Sequence, residues 1–407
     1  MIASSHTSLV DFRVWFFLRF TLVGATFPMV GLWVEHQWGD KTKVGLLMGG
    51  IGLMQLLSQQ MWGYLGDMVF PRRRILLFNM GVAVPLVFLT GFAASWPLFW
   101  GMWIVIALFM TPVNPMMNAI VMGSVHGQRR YSEIRAWGTI GFVAACLCAG
   151  VLSVVFGTPW VTFPISLIGG GAAWLWLWRI HTPHVPPETR APFAQVQRFF
   201  LSQPHFLWFL LALFINRVAH APMTYFQAFR AKELAPEGWG DFFGNSLYMV
   251  GAIPEIIVLF FGDRLLARFG ELRCLMWVTG IAVIRFLLVP VVGLPGLIAL
   301  QCLHGFTFGL YYIAGVSWMN RHTPDEIKTS AQTIYTMTFF GLAAMIGNPV
   351  FGRLMDVFGE DHQREIFWAG SLVIGLSIMA LAGAIRSEPA GPPPQRLPLP
   401  GETPYNQ

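Results

Sequence analysis

The chain has 407 residues, of which 55% are hydrophobic and 11% are charged, and its formal net charge is +6. Apolar runs of about twenty residues, the length a helix needs to cross a bilayer, recur from end to end. This composition excludes a water-soluble globular protein. Nucleic-acid binding is also excluded, because no soluble segment is long enough to carry a basic patch, and the positive charge is better explained by membrane topology.

The twelve predicted membrane-spanning helices define an all-α membrane protein. The first apolar run has no small-residue cleavage signature after it, which indicates a retained helix and not a signal peptide. The predicted spans are residues 14–34, 43–66, 74–94, 97–123, 135–156, 160–180, 206–229, 242–262, 272–293, 294–319, 329–352 and 364–385.

The polar stretch at 181–205 predicts a cytoplasmic linker, because the prolines within residues 181–192 forbid a regular helix there. It divides the chain into an amino-terminal six-helix bundle at 1–180 and a carboxy-terminal one at 206–386. The tail at 387–407 has no apolar face and is predicted to be disordered. With the amino terminus in the cytoplasm, about 16 of the 26 basic residues fall on inner segments and about 6 on outer ones, which predicts an inner-membrane protein with both termini cytoplasmic.

The four cysteines all lie inside apolar runs and have neither metal-ligand spacing nor a disulfide framework. No phosphate-binding glycine loop, metal cluster or nucleophile triad is present, so the sequence predicts neither an enzyme nor an ATP-driven pump. We expect no cofactor and no metal. The cysteines are Cys146, Cys148, Cys274 and Cys302.

A short internal similarity links the ends of the second and eleventh spans, where Gly63–Asp67 matches Gly352–Asp356. Such a match fits inverted three-helix repeats, which place the substrate at the midplane between the halves. Twelve spans in two halves, with Gly63 and Asp67 followed by a basic cluster, resemble the major facilitator superfamily. The resemblance implies a gating motif, although an ordinary helix end with inside-positive charges gives the same pattern. The implied gating residues are Gly63, Asp67, Arg72 and Arg73.

Within that superfamily, Ile134–Phe142 resembles the start of the fifth helix of bacterial nucleoside/proton symporters, and Ser330–Gln332 resembles part of their eleventh. Pro254–Leu259, Val283–Arg285 and Leu303–His304 are similar to the phenylpropionate transporter and lactose permease group. The substrate-site and proton-site residues that these resemblances imply are Arg135, Thr139, Phe142, Glu255, His304 and Phe308.

The chain departs from the nucleoside symporters where those proteins carry amides that would bond a nucleobase. Here His220, Met223 and Ala252 occupy those positions, and the aspartate of the tenth helix is Gly309. Recognition of a nucleobase by the same contacts is therefore not implied.

Arginine is the most frequent charged residue within the predicted spans. A guanidinium keeps its charge and is costly against lipid, so Arg135 at the start of the fifth span is expected to face a water-filled cavity. Arg19, Arg217 and Arg285 are also intramembrane, against one deep acid, Glu255. The positive excess favours a substrate with a carboxylate or phosphate. Alternatively, Arg19 and Arg217 reach from helix ends to the interface.

Glu255 follows Pro254 in the middle of a span, which is typical of a group that takes and releases a proton as the cavity changes side. A fixed ion pair with Arg285 or Arg217 is the alternative. His304 and His220 could relay protons, or simply pack. Polar side chains elsewhere are expected to face the cavity or to form interhelical hydrogen bonds. These are Gln55, Gln59 and Asn118.

The function that follows is secondary transport, with proton-coupled uptake of a nucleoside or of an aromatic or other small carboxylate. The partners are then the substrate, protons and the lipid bilayer, with the proton gradient as driving force and a functional monomer. A proton-driven exporter is the alternative, and a membrane sensor, which normally needs a soluble output domain, is less favoured.

Overall fold

The computed structural model describes residues 7–122, 124, 127–181, 193–324, 327–359 and 362–389. Within these ranges the structure does not describe the side chains of residues 67, 68, 127–130, 132, 193–195, 259, 260, 263 and 329. Every regular element in the described ranges is helical. The predicted all-α fold is therefore confirmed, while the predicted tail lies almost wholly outside the described residues.

The first half of the chain forms helices that follow the predicted spans. They are α1 (Leu9–Trp38), α2 (Lys41–Met68), α3 (Arg72–Thr90), α4 (Trp96–Met110), α5 (Val113–Met122), α6 (Gly127–Phe156) and α7 (Thr162–Trp176). Local signals set their ends: Ser8 accepts a hydrogen bond from the Asp11 amide, and Gly39 ends α1 at φ 61°. Asp40 then caps α2 by accepting from the Lys43 amide.

In the second half the helices are α8 (Phe193–Leu201), α9 (Pro204–Leu234), α10 (Gly240–Phe269), α11 (Glu271–Leu288), α12 (Leu294–Gln301), α13 (Tyr311–His322), α14 (Lys328–Thr336), α15 (Ala343–Phe358) and α16 (Gln363–Ser387). Two π-helical segments, Gly305–Leu310 and Met337–Leu342, interrupt the tenth and eleventh predicted spans. Helix α8 lies inside the predicted linker.

Nine helical stretches of the described residues are long and apolar enough to cross a membrane. The stretches of α2, α10 and α11 are not among them, so the count of twelve spans stays a prediction.

The chain packs into two compact units. Unit 1 comprises Met1–Glu188 and Tyr225–Ala252, and unit 2 comprises Thr189–Thr224 and Ile253–Gln407. Because the units are defined by packing, they do not test the predicted bundle boundaries at 180 and 206.

In unit 1, α1 packs closely on α6 through glycines. A Cβ on Gly24 would lie 2.3 Å from the carbonyl oxygen of Phe142, and one on Gly141 would lie 2.2 Å from that of Phe17. Both backbones therefore approach where only hydrogen fits. The Cys146 thiol also donates to the Gly24 carbonyl, at 3.2 Å.

In unit 2, an aromatic core surrounds Trp318. The rings of Phe209 and Trp318 stack with centroids 4.2 Å apart, and Tyr335 lies next to Phe209. At the end of α13, His322 pairs with Glu388 at 2.8 Å. That hydrogen bond holds the pKa of the Glu388 carboxyl below its usual range. Helices α9, α13 and α14 are thereby fixed around one core.

Candidate functional site

Arg135 on α6 lies over the ring of Phe20 on α1. Its guanidinium carbon is 4.3 Å from the ring centroid. Gly138, one turn further on, makes room for this contact, since a Cβ there would come within 2.9 Å of the Phe20 ring and 3.1 Å of the Arg135 guanidinium. Arg135 is half-buried. The cation is thus held against a ring while part of it stays accessible.

The other substrate residues predicted in unit 1 are half-buried. Thr139 follows Arg135 by one turn, and Phe142 follows by two. Asn118 on α5 has a carbonyl oxygen that is buried without a hydrogen-bond partner among the described residues. Gln55 on α2 is half-buried as well. These positions fit an accessible lining, and their role in substrate binding stays a prediction.

Arg217 on α9 lies between two phenylalanine rings of unit 2. Its guanidinium carbon is 4.2 Å from the centroid of Phe339 and 5.7 Å from that of Phe308. The side chain is 5% exposed. It is therefore inside the protein and does not reach an interface from a helix end, and the same holds for Arg19, which is 4% exposed.

His304 and Phe308 form a flat stack on the first π-helical segment and the residue before it. Their ring centroids are 5.3 Å apart and the planes differ by 7°. Both rings are half-buried. Single π-helical turns within α-helices are frequent at functional sites.

Arg285 on α11 is fully buried and is held by neutral acceptors from the tenth span. It donates to the amide oxygen of Gln301 at 2.8 Å and to the hydroxyl of Thr307 at 3.1 Å. The guanidinium also lies 4.8 Å from the Phe286 ring centroid. Sequence reasoning did not single out Gln301 and Thr307, although a glutamine within an apolar run is a usable signal.

Glu255 on α10 is half-buried and packs against the first π-helical segment. A Cβ on Gly309 would lie 3.1 Å from the Glu255 Cγ, and one on Gly305 would lie 2.7 Å from the backbone of Pro254. The two glycines let α10 approach this segment. The glycine that replaces the symporters' aspartate is thus the neighbour of the carboxylate.

His220 lies one turn beyond Arg217 and is fully buried. Its ring meets Phe286 edge-on at 5.1 Å, and neither ring nitrogen has a hydrogen-bond partner among the described residues. The charges of Arg217 and Arg285 act on the rings of both His220 and His304. Unit 2 therefore brings together four of the predicted site groups around one cationic centre.

The predicted gating residues lie at the junction of α2 and α3. Arg73 donates to the carbonyl of Trp178 at 2.6 Å and to that of Leu177 at 3.4 Å. Arg72 packs along Gly66, not Gly63, since no described atom lies within 4 Å of a Cβ on Gly63. The side chain of Asp67 lies outside the described residues. Gating by this cluster stays a prediction.

Comparison with known proteins identifies the family to which the chain belongs. Residues 9–364 match the MFS_1 like family. The chain is 24% identical over 388 residues to the maltose permease of Geobacillus stearothermophilus, covering 93% of this chain and 95% of that protein. It is 22% identical over 405 residues to the putative nucleoside transporter YegT of Escherichia coli (strain K12), covering 95% and 93%.

Among solved structures, a mutant of the nucleoside transporter NupG matches with a TM-score of 0.79 at 15% identity. The match covers 93% of this chain and 99% of that one. At this identity the likeness establishes the fold alone, but the family match covers most of the sequence. The chain therefore belongs to the MFS_1 like family of the major facilitator superfamily and is a secondary membrane transporter, not an enzyme.

Proposed function

We propose that the protein takes up a small organic solute together with protons, driven by the proton gradient and without a cofactor. The observation that carries this proposal is Glu255, a carboxylate within a predicted span that packs against Gly309. We further propose that the protein is a monomer in the inner membrane, with both termini in the cytoplasm.

Glu255 suits proton coupling because its surroundings can change with the transport cycle. A carboxylate inside a span is costly when charged and unpaired, so it holds or releases a proton according to what faces it. Substrate and proton are coupled when each binds one conformation better than the other. His304, stacked on Phe308 of the adjoining segment, supplies a second titratable group next to this position.

Two substrate classes have a specific observation in their favour. A nucleoside is supported by relatives that carry that function in their names, including the putative nucleoside transporter YegT. A small aromatic carboxylate is supported by Arg217, which lies between Phe308 and Phe339 in unit 2. A nucleoside would use Arg135 as an anchor, with Thr139 and Phe142 along the same helix.

The decisive experiment compares Glu255→Gln with the parent protein in proteoliposomes, using radiolabelled uridine and phenylacetate. We expect the variant to exchange its substrate across the membrane at equilibrium but to lose accumulation driven by an inward proton gradient. Glu365→Gln is the matched control, since Glu365 is an exposed acid at the start of α16. Full gradient-driven accumulation by Glu255→Gln would refute the proton role.

The direction of transport is tested in vesicles of known orientation. Uptake predicts accumulation when the proton gradient runs from the external face to the cytoplasmic face. A protein that instead drives solute out along with proton entry would be an exporter, with the same fold.

A further inference from the structure

Unit 2 holds two buried arginines and a buried histidine near a half-buried aromatic stack. Arg217 is 5% exposed and Arg285 and His220 are 0% exposed, whereas His304 and Phe308 are half-buried. The guanidinium of Arg217 lies 5.7 Å from the centroid of Phe308, immediately beside the stack.

The charges of this group do not cancel. Two guanidiniums, Arg217 and Arg285, stand against one deep carboxylate, Glu255, so the fixed charge is 2 − 1 = +1 with both histidines neutral. Gln301 and Thr307, which accept from Arg285, are neutral and add no negative charge. A buried net charge is costly, and a bound anion is the ordinary way to offset it.

His220 gives a second, independent indication of an absent ligand. Both of its ring nitrogens are buried without hydrogen-bond partners among the described residues. Buried polar groups in proteins are nearly always hydrogen-bonded, so an unsatisfied ring next to two arginines indicates a polar group that the protein binds.

We propose that unit 2 binds a ring-bearing carboxylate, with the ring on the stack of His304 and Phe308 and the carboxylate at Arg217. This inference rests on the proposed transport function and selects its substrate class. A guanidinium matches the two oxygens of a carboxylate in bidentate geometry. Aromatic rings pack on such a stack with offset or edge-on contacts.

Coupling to one proton favours a particular charge on the substrate. A neutral nucleoside that enters with a proton would raise the fixed charge of the group from +1 to +2. A carboxylate that enters with a proton leaves it at +1, so no extra buried charge is created. A monoanion is therefore favoured over an uncharged ligand of the same ring size.

Binding to the purified full-length protein in detergent tests the proposal without any gradient. The probes are phenylacetate, its uncharged isostere phenylacetamide, phenyl phosphate and uridine, followed by calorimetry and by the thermal shift that a ligand of the folded state produces. We expect phenylacetate to bind at least tenfold more tightly than phenylacetamide. Arg217→Gln should remove that preference, and Arg217→Lys should restore part of it.

The matched control is Arg264→Gln, since Arg264 is an exposed arginine that also lies over a phenylalanine, 5.5 Å from the centroid of Phe261. It should leave the preference for phenylacetate unchanged. If Arg217→Gln does not fold, Phe308→Leu provides the second variant, and it should weaken phenylacetate binding several-fold.

The proposal is overturned if phenylacetamide binds as tightly as phenylacetate, if uridine or phenyl phosphate is preferred, or if phenylacetate fails to bind. These results are separate from the test of proton coupling. Binding needs no gradient, so the two proposals can fail separately. If Glu255→Gln still accumulates substrate while the parent protein binds phenylacetate as expected, the proton role is refuted and the carboxylate site is still supported.

Discussion

Phe20 provides a direct test of how Arg135 is held. Replacing Phe20 by leucine keeps an apolar side chain but removes the ring that lies 4.3 Å from the guanidinium. A cation–π contact at a partly exposed site contributes about 0.5–1 kcal/mol, which corresponds to a change of roughly two- to fivefold in affinity. We expect Phe20→Leu to raise the KM for uptake by that factor and to leave expression unchanged.

Phe156→Leu on the same α6 is the control for this substitution, because Phe156 is 66% exposed and far along the helix from Arg135. It should leave KM unchanged. Equal effects of the two variants would show that Phe20 acts only through general packing.

Individual candidate site residues can be selected from the sequence where the residue type alone is unusual in a membrane. Arg135, Arg217, Arg285 and Glu255 are charges in apolar runs, and the sequence marks them without any fold. Their neighbours were not predictable, because Phe339 reaches Arg217 from another helix more than a hundred residues away. In a chain with 35 phenylalanines, nothing in the spacing distinguishes the ring that meets a cation from one that only packs.

At the scale of the element, the contact between α1 and α6 depends on Gly141. A Cβ at this position would lie 2.2 Å from the carbonyl oxygen of Phe17, and a backbone atom cannot move aside as a flexible side chain can. We expect Gly141→Ala to cost about 1–3 kcal/mol, as overpacked cores do. The variant should show a lower Tm and weaker substrate binding, because Thr139 and Phe142 flank this glycine.

Gly171→Ala on α7 is the matched control, since no described atom lies within 4 Å of a Cβ there. Alanine favours a helix over glycine by about 1 kcal/mol, so this variant should be equally or slightly more stable. A Tm for Gly141→Ala that is no lower than that for Gly171→Ala would mean that the two helices separate without cost.

Helix positions followed well from apolar length, because a bilayer requires about twenty apolar residues per crossing. The predicted span 364–385, for example, lies within α16 at Gln363–Ser387. The π-helical interruptions of these helices were not predicted, because hydrophobicity does not indicate whether an amide bonds to the carbonyl four or five residues before it. The two π-helical segments therefore had no signal in the apolar pattern, although glycines at 305, 309 and 341 lie within them.

For the whole molecule, alternating access requires contacts that form in one state and break in another. Ion pairs of unit 1 join helix ends that the predicted topology places outside. Lys232 at the end of α9 contacts Glu35 of α1 at 2.9 Å and Asp241 of α10 at 3.3 Å. Because the predicted division puts α1 in the first bundle and α9 in the second, these contacts must break when the outer side opens.

Lys232→Gln should therefore shift the protein towards the state in which these ends are apart. Val44 of α2 is fully buried in the pocket that Phe27 and Tyr248 also line, so a cysteine introduced there reports opening. In a background without the native cysteines, we expect maleimide to label Val44→Cys about fivefold faster, if the two pairs together contribute ~1 kcal/mol.

The control for this shift is Lys43→Gln, which removes an ion pair of 3.2 Å to Asp40 within one helix start and links no separate helices. It should leave the labelling rate unchanged. Excess substrate should slow labelling of the Lys232→Gln variant if substrate binding favours the state closed to the outside, since a ligand shifts the equilibrium only through different affinities for the two states. Equal labelling of the parent and both variants would show that the Lys232 pairs stabilise the fold without biasing the transport cycle.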